Sequence, residues 1–522
     1  MRLSLSSPSC VVIGLLLALS STFAAAFGFE DVSRLAAERA ARPYAAPQAP
    51  PNSDWLSALT YDEYRSIRFR PAQAQGRAES LPFERQFFHV GRGHQRVLRL
   101  FELRDGQPVA LNVPRAAFDY GALNLPPKPG PDAEVAGFRL HHPINRPDVM
   151  DEVIVFLGAS YFRAVSAGVQ YGLSARGVVV DAVGGKAEEF PAFDTFWFER
   201  PAPGAREVVF HALLDGPRVA GAYRFTVTPG PETRVDVRAR LYLRAPVALL
   251  GLAPLTSMFL FGENQPRADD FRPEVHDSDG LQMHSGSGEW IWRPLINPPG
   301  VFVSSFAMAS PRGFGLMQRD RAFHRYEDLE AHYERRPSAW VEPLLDEQGQ
   351  PFAAWAAGRV ELLQFAAPDE THDNIGAWWV PERLPAPGQP LDFGWRIRWQ
   401  GDAMTAPPGA RVVQTRRGFG YREGAIPADR EQFHIDFDGD SLRRLPIGAR
   451  VDAVVSASDP AVRLKANVYP NTSAGGWRLT LDLEGVDAAR PLELRAFLRT
   501  AEETLTETWA YALPVGALAR AR

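Results

Sequence analysis

From Thr233 to Arg244 the chain alternates between apolar and polar side chains, with Val235, Val237, Ala239, Leu241 and Leu243 on one face and Asp236, Arg238, Arg240, Tyr242 and Arg244 on the other. A period of two sustained this long demands a strand with one dry and one wet face, as in an antiparallel sheet. The pattern returns at Leu391, Phe393, Trp395, Ile397 and Trp399, at Phe433, Ile435 and Phe437, and at Trp477, Leu479, Leu481 and Leu483. Turn clusters such as Thr228-Pro-Gly-Pro-Glu232 and Ala474-Gly-Gly476 punctuate it. With 43 Gly and 45 Pro among 522 residues, such breaks are too frequent for a mainly helical chain and too sparse for a low-complexity one. The fold class expected is therefore all-β, built of sandwiches. A polar, Pro-containing stretch at 401–410 follows one strong strand and precedes a further set. Residues 27–400 are accordingly expected to form a large N-terminal β-sandwich, 401–410 a linker, and 411–522 a small C-terminal immunoglobulin-like β-sandwich without the Cys pair of antibody domains.

The N-terminus has a different character. Arg2 precedes an apolar run from Cys10 to Leu19 and then small residues ending at Ala26, the layout of a cleavable signal peptide over 1–26. The run is too short to span a bilayer, and no later segment is long and uncharged enough, so an exported chain with no membrane span is expected. Cys10 is the only cysteine, which leaves the mature chain no disulfide and no thiolate metal ligand. A net charge of -5 argues against nucleic acid as a partner. All but three of the 57 basic residues are Arg, read mainly as compositional bias. Two short helices are expected first, one from Asp31 to Arg42 and one opened by a Thr60/Glu63 capping box.

Two segments concentrate chemistry. One is Phe271-Arg-Pro-Glu-Val-His-Asp-Ser-Asp-Gly280 with the following Met283-His-Ser-Gly-Ser-Gly-Glu-Trp-Ile-Trp-Arg293. The other is Asp369-Glu-Thr-His-Asp-Asn374 followed by Trp378 and Trp379. Each sets carboxylates and a His beside paired Trp residues. Aromatic faces stack on sugars, and glycoside hydrolysis needs one protonated and one ionised carboxyl. Asp277 and Asp373, from separate segments, are the candidates, with Glu370 and His372 positioning Asp373. Trp290 and Trp292, two apart on a strand, share a face that would line a cleft. The plainer reading, turn-forming Asp residues beside core Trp residues, stays open. A metal held by His276, Asp277, Asp279 and His284 fits neither zinc nor calcium spacing, so none is expected. Gly172-Leu-Ser-Ala-Arg-Gly177 lacks the final Gly of a nucleophile elbow.

These strings, together with Leu157-Gly-Ala-Ser-Tyr-Phe-Arg163, Glu189-Phe-Pro191, Gly288-Glu-Trp-Ile-Trp-Arg-Pro294 and Arg336-Pro-Ser-Ala-Trp340, resemble the osmoregulated periplasmic glucan biosynthesis protein G/D family (MdoG/OpgG) over essentially the whole mature chain. The G branch fits better, since no twin-arginine signal is present. The resemblance implies a galactose-mutarotase-like sandwich joined by a linker to an immunoglobulin-like domain in the periplasm. It also implies β-1,2-linked glucan as substrate and endo-acting, anomer-inverting hydrolysis, with Asp373 as general acid, Asp277 as base reached through ordered water, and Glu370 in support. As the acid, Asp373 is expected to be buried or beside a carboxylate such as Glu370. Thr415-Arg-Arg-Gly-Phe-Gly-Tyr421 resembles the start of a loop that reaches the cleft, which makes Arg416 and Arg417 candidate substrate contacts alongside Trp290, Trp292, His276, His372, Trp378 and Trp379. A solvated Arg-rich turn is the alternative. No cofactor is implied. The competing functions are a non-catalytic glucan-binding or assembly protein working with an inner-membrane glucosyltransferase, and a branching transglycosylase.

Overall fold

The computed structural model describes residues 26–50, 53–123, 131–184, 187–419 and 429–517. Apart from Ala26, the expected signal peptide lies outside them, as do residues 420–428 of the loop expected after Arg417. Two large sheets hold most of the strands up to residue 400. In the first, neighbouring strands run Glu84–His89, Val135–His142, Asp151–Leu157, Tyr161–Ala164, Ser174–Arg176, Leu250–Ser257, Ile375–Pro381, Ala357–Gln364 and Phe302–Ala309, all paired antiparallel. The second is centred on Thr233–Leu243, the alternating segment, which pairs with Val219–Thr228 on one side and Pro390–Gln400 on the other.

The alternation does what its period requires. Val235, Val237 and Ala239 are fully buried, as are Phe393, Trp395, Ile397 and Trp399 of the partner strand. They meet the first sheet in one aromatic core, where Phe138 lies 4.9 Å from Phe196 and Phe156 lies 5.2 Å from Phe225. Both edge-to-face pairs join strands of opposite sheets, so the two sheets form a sandwich. The wet face of Thr233–Leu243 is partly roofed by the first helix, Phe29–Ala40, through a 2.9 Å hydrogen bond between the Ser33 and Tyr242 hydroxyls and an Arg240–Glu30 pair at 2.7 Å. That helix begins two residues earlier than its apolar spacing indicated, because Asp31 Oδ2 accepts from the Gly28 N–H and pulls the cap upstream. The capping box at Thr60 and Glu63 forms, with Glu63 Oε2 accepting from the Thr60 N–H at 2.8 Å and Thr60 Oγ1 from the Glu63 N–H at 3.3 Å.

Beyond the turns of 401–410, the strands Arg411–Gly418, Arg430–Asp438, Trp477–Glu484 and Arg463–Pro470 form a four-stranded sheet. It packs on Asp452–Ala457, Leu492–Arg499 and Thr508–Leu513, which gives a small sandwich whose core holds Phe433, Ile435, Leu479, Leu481, Leu494 and Trp509. We propose 401–410 as the division between the two sandwiches. They are not independent bodies, however. Trp290–Pro294 pairs in parallel with Thr508–Leu513, and Trp292, Met317 and Trp340 belong to the smaller core.

Candidate active site

The site is built where a short hairpin meets the outer face of the first sheet. Val275–His276 pairs antiparallel with Phe259–Phe261, placing His276 opposite Phe259. Successive side chains point to opposite sides. His276 turns inward and is fully buried, its ring stacked on Phe259, with Nδ1 2.9 Å from Gln318 Oε1 and Nε2 2.9 Å from Glu274 Oε2. Asp277 turns the other way. Its N–H donates to the Met258 carbonyl at 2.9 Å, and its carboxyl has Arg336 Nη1 3.4 Å from Oδ1. Burial pushes this carboxyl above the usual range; the Arg336 charge opposes the shift and the nearby Asp373 charge adds to it.

Asp373 arrives from the turn before the strand Ile375–Pro381, and the residue that fixes it is its neighbour. Asn374 is fully buried, accepts from the Phe259 N–H at 2.9 Å and donates to the carbonyls of Phe259 and Phe365 at 3.0 Å. It thus staples the Asp373 turn to the same strand that pairs with the Asp277 segment. The Asp373 side chain is 40% exposed, and Arg163 Nη2 approaches it at 3.8 Å. Arg163 lies between the core residues Phe162 and Ala164, so it projects from the outer face of the sheet, steadied by donation from Nε to Ser174 Oγ at 2.7 Å. Each carboxyl therefore has its own guanidinium, and the two carboxyls interact through their charges.

The expected environment of Asp373 differs in two respects. It is not buried, and Glu370 is tied up elsewhere, 2.8 Å from Arg272 Nη1. Arg272 is a hub, also bonded to Asp270 at 2.9 Å and Asp328 at 3.0 Å. The buried Tyr333 lies within electrostatic reach of Glu370, Asp277, Arg272 and Arg336 and links the two flanks. His372 is paired with Asp369 at 2.9 Å rather than with Asp373. Asp369 organises the turn by accepting from Thr371, which holds its carboxyl down at about 2.

Most of the expected aromatic and basic contacts lie away from the carboxyls. Trp290 and Trp292 do share a face, but it turns to the smaller sandwich. Trp290 stacks on His284 with centroids 4.0 Å apart, and Trp292 is covered by the Arg319 guanidinium 3.5 Å above its ring. Trp378 and Trp379 are core residues, the latter donating from Nε1 to the Ala354 carbonyl at 2.7 Å, and neither has an open face for a sugar. His276 is fully buried and presents no exposed surface to a substrate. Arg417 is held by Glu431 at 3.1 Å and by the Ala517 carbonyl. Arg416 is exposed, and its charge acts on Glu263. Arg163, Arg272, Arg336 and Asn374 had no place among the sequence candidates, although all four stand in the strings that carry the resemblance. Discounting Arg as compositional bias hid three of them.

On the His276 side of the hairpin, at the junction with the small sandwich, a cavity of about 40 Å³ is lined by Glu263, Glu274, Asp279 and Asp320. Arg325 reaches three of these, lying 3.6 Å from Glu263, 3.5 Å from Glu274 and 3.2 Å from Asp320. Burial, with the Glu274 charge added, pushes Glu263 from 4.5 up to about 8, against the Thr415 N–H that it accepts and the charges of Arg325 and Arg416. A folded-state value above the unfolded one means the native state binds the extra proton. The stability this confers is complete below about 4.5 and is lost as pH rises through about 8. Glu263→Gln is expected to flatten that decline, by at most about 1.4 kcal/mol per pH unit, and to leave the variant more stable than the parent at pH 9 and no more stable at pH 4.5. Parallel melting curves for both proteins from pH 4.5 to 9 would remove Glu263 as the proton-linked group.

The sequence profile of the family described as "Periplasmic glucan biosynthesis protein, MdoG" matches residues 27–513. "Glucans biosynthesis protein G" of Ralstonia nicotianae is 48% identical over 513 residues, covering 97% of this chain and 100% of the relative. The protein of the same name from Rhodopseudomonas palustris is 46% identical over 483 residues, 92% of each chain. That from Pseudomonas aeruginosa is 42% identical over 497 residues, 94% of this chain and 93% of the relative.

Proposed function

The chain belongs to the periplasmic glucan biosynthesis protein MdoG family, and from that membership we propose that it cuts the β-1,2-linked backbone of the glucan internally, as an anomer-inverting hydrolase exported by its signal peptide. The single observation that carries the reading is the placement of Asp277 and Asp373. Two carboxyls from distant segments are brought into electrostatic reach by the Asn374 staple, one accessible from outside and one enclosed.

The division of labour is the one the resemblance implies, and it is supported by the exposure of one carboxyl and the enclosure of the other. Asp373, at the surface beside Arg163, can meet a polymer and donates its proton to the leaving glycosidic oxygen as the C1–O bond breaks. A water attacks C1 from the opposite face, and its proton passes to Asp277, directly or through further water, which yields the inverted anomer. Burial makes the Asp277 carboxylate more basic, and Arg336 keeps it able to ionise. Release of a proton by Asp277 and uptake of one by Asp373 reset the site. No step calls on a cofactor.

Purified mature protein incubated with linear β-1,2-glucan, followed by NMR, tests this. Shorter chains whose new reducing ends first appear in the anomer opposite to the cleaved linkage are expected. Retention of configuration would point to transglycosylation through a glycosyl-enzyme, and binding without new ends to an assembly role beside a membrane glucosyltransferase. Either result overturns the proposal.

A further inference from the structure

Two phenylalanines are exposed, each beside an arginine that connects to the surroundings of Asp373, and neither is packed into a core. Phe190 is 51% and Phe271 80% exposed. Each has a guanidinium over its ring, Arg176 at 5.0 Å from the Phe190 centroid and Arg272 at 5.9 Å from that of Phe271. A single exposed Phe needs no explanation. Here both arginines lead back to the same carboxyl. Arg176 also lies over Tyr161 at 4.9 Å and pairs with Glu188 at 2.9 Å. Tyr161 feels the Asp373 charge and shares its strand with Arg163. Arg272, for its part, holds Glu370, three residues before Asp373.

A pyranose ring presents a face of C–H bonds to an aromatic surface and a rim of hydroxyls to planar charged groups. Both positions combine these requirements, since each offers a Phe ring bonded from one side and, next to it, an Arg–carboxylate pair with directional donors and acceptors. We propose that Phe190 and Phe271 are the stacking platforms for sugar units on the two sides of the scissile bond, so that the glucan runs from Phe190 across Asp373 to the loop at Phe271. This rests on the reading of the site as one that acts on glucan.

The test uses Phe190→Ala and Phe271→Ala in the full mature chain with linear β-1,2-glucan of long and short chain length. Each is expected to raise KM for the long substrate about tenfold, with kcat at saturation within about twofold and an unchanged melting temperature; Phe→Trp at either position restores KM. An unchanged KM in both variants, or a fall in kcat alone, overturns the assignment. Calorimetric titration of the same glucan into each Phe→Ala variant made in an Asp373→Asn background separates this inference from the one beneath it. Weakened binding in that background, with an Asp373 parent that does not hydrolyse, refutes the hydrolase and keeps the platforms, whereas undiminished binding in that background, with an Asp373 parent that does hydrolyse, does the reverse.

Discussion

Asp373→Asn is expected to abolish release of reducing ends from linear β-1,2-glucan while leaving the fold intact. General acid catalysis contributes typically 10²–10⁴-fold. Asn cannot supply the proton, so the loss should be about 10²–10⁴-fold in kcat with little change in KM. Stability should hardly move, because the side chain is 40% exposed and its ionic partner among the described residues, Arg163, keeps its bond to Ser174; surface substitutions of this kind stay within about 0.5 kcal/mol. The expected combination of a dead enzyme and an unchanged melting temperature distinguishes Asp373 from Asp277. The Asp277 carboxyl is enclosed and paired with Arg336, so its replacement disturbs both activity and folding. Reducing-end assays and thermal melts on the same preparation decide the matter. Retained hydrolysis by Asp373→Asn would remove it as the acid.

How far such a site can be read from sequence depends on whether the deciding contact is local. The period-two runs at Thr233–Leu243 and Pro390–Gln400 state their burial outright, because in an alternating strand the apolar side chains all fall on one face. The Thr60/Glu63 capping box is equally local. The two carboxylate strings marked out Asp277 and Asp373 by residue type and by resemblance, but their electrostatic coupling depends on Asn374 reaching Phe259, 115 positions away. The Trp residues show the same limit from the other side. Trp290 and Trp292 share a face as their spacing requires, yet what covers Trp292 is the guanidinium of Arg319, and nothing near residue 290 announces it. Arg163 and Arg336 were hidden differently, by a composition in which Arg is so common that its identity carries little information until the carboxyl it faces is known.

Glu507→Gln should unfold the protein far more readily than its distance from Asp373 would imply. Glu507 is fully buried at the junction of the two sandwiches, 2.6 Å from Arg319 Nη1, while Oε1 also accepts from the Val412 N–H at 2.9 Å. Arg319 in turn donates to the Val412 carbonyl and to Gln282 and lies over Trp292. Removing one charge of such a pair leaves the other buried and unpaired, a cost of about 3–5 kcal/mol, whereas replacing both with apolar residues of similar volume is often neutral. The single variant should therefore lose that much in urea unfolding, and the double variant Arg319→Met with Glu507→Leu should recover most of it. Activity should follow stability only in part. The backbone N–H groups of Arg319 and Asp320 both donate to Asp279 Oδ2, at 2.9 and 3.0 Å, and Asp279 lies two residues from Asp277. Loosening Arg319 therefore slackens the segment that positions the base, and a double variant that regains stability without regaining full kcat would locate the function of this ion pair in holding Asp277 rather than in holding the two sandwiches together.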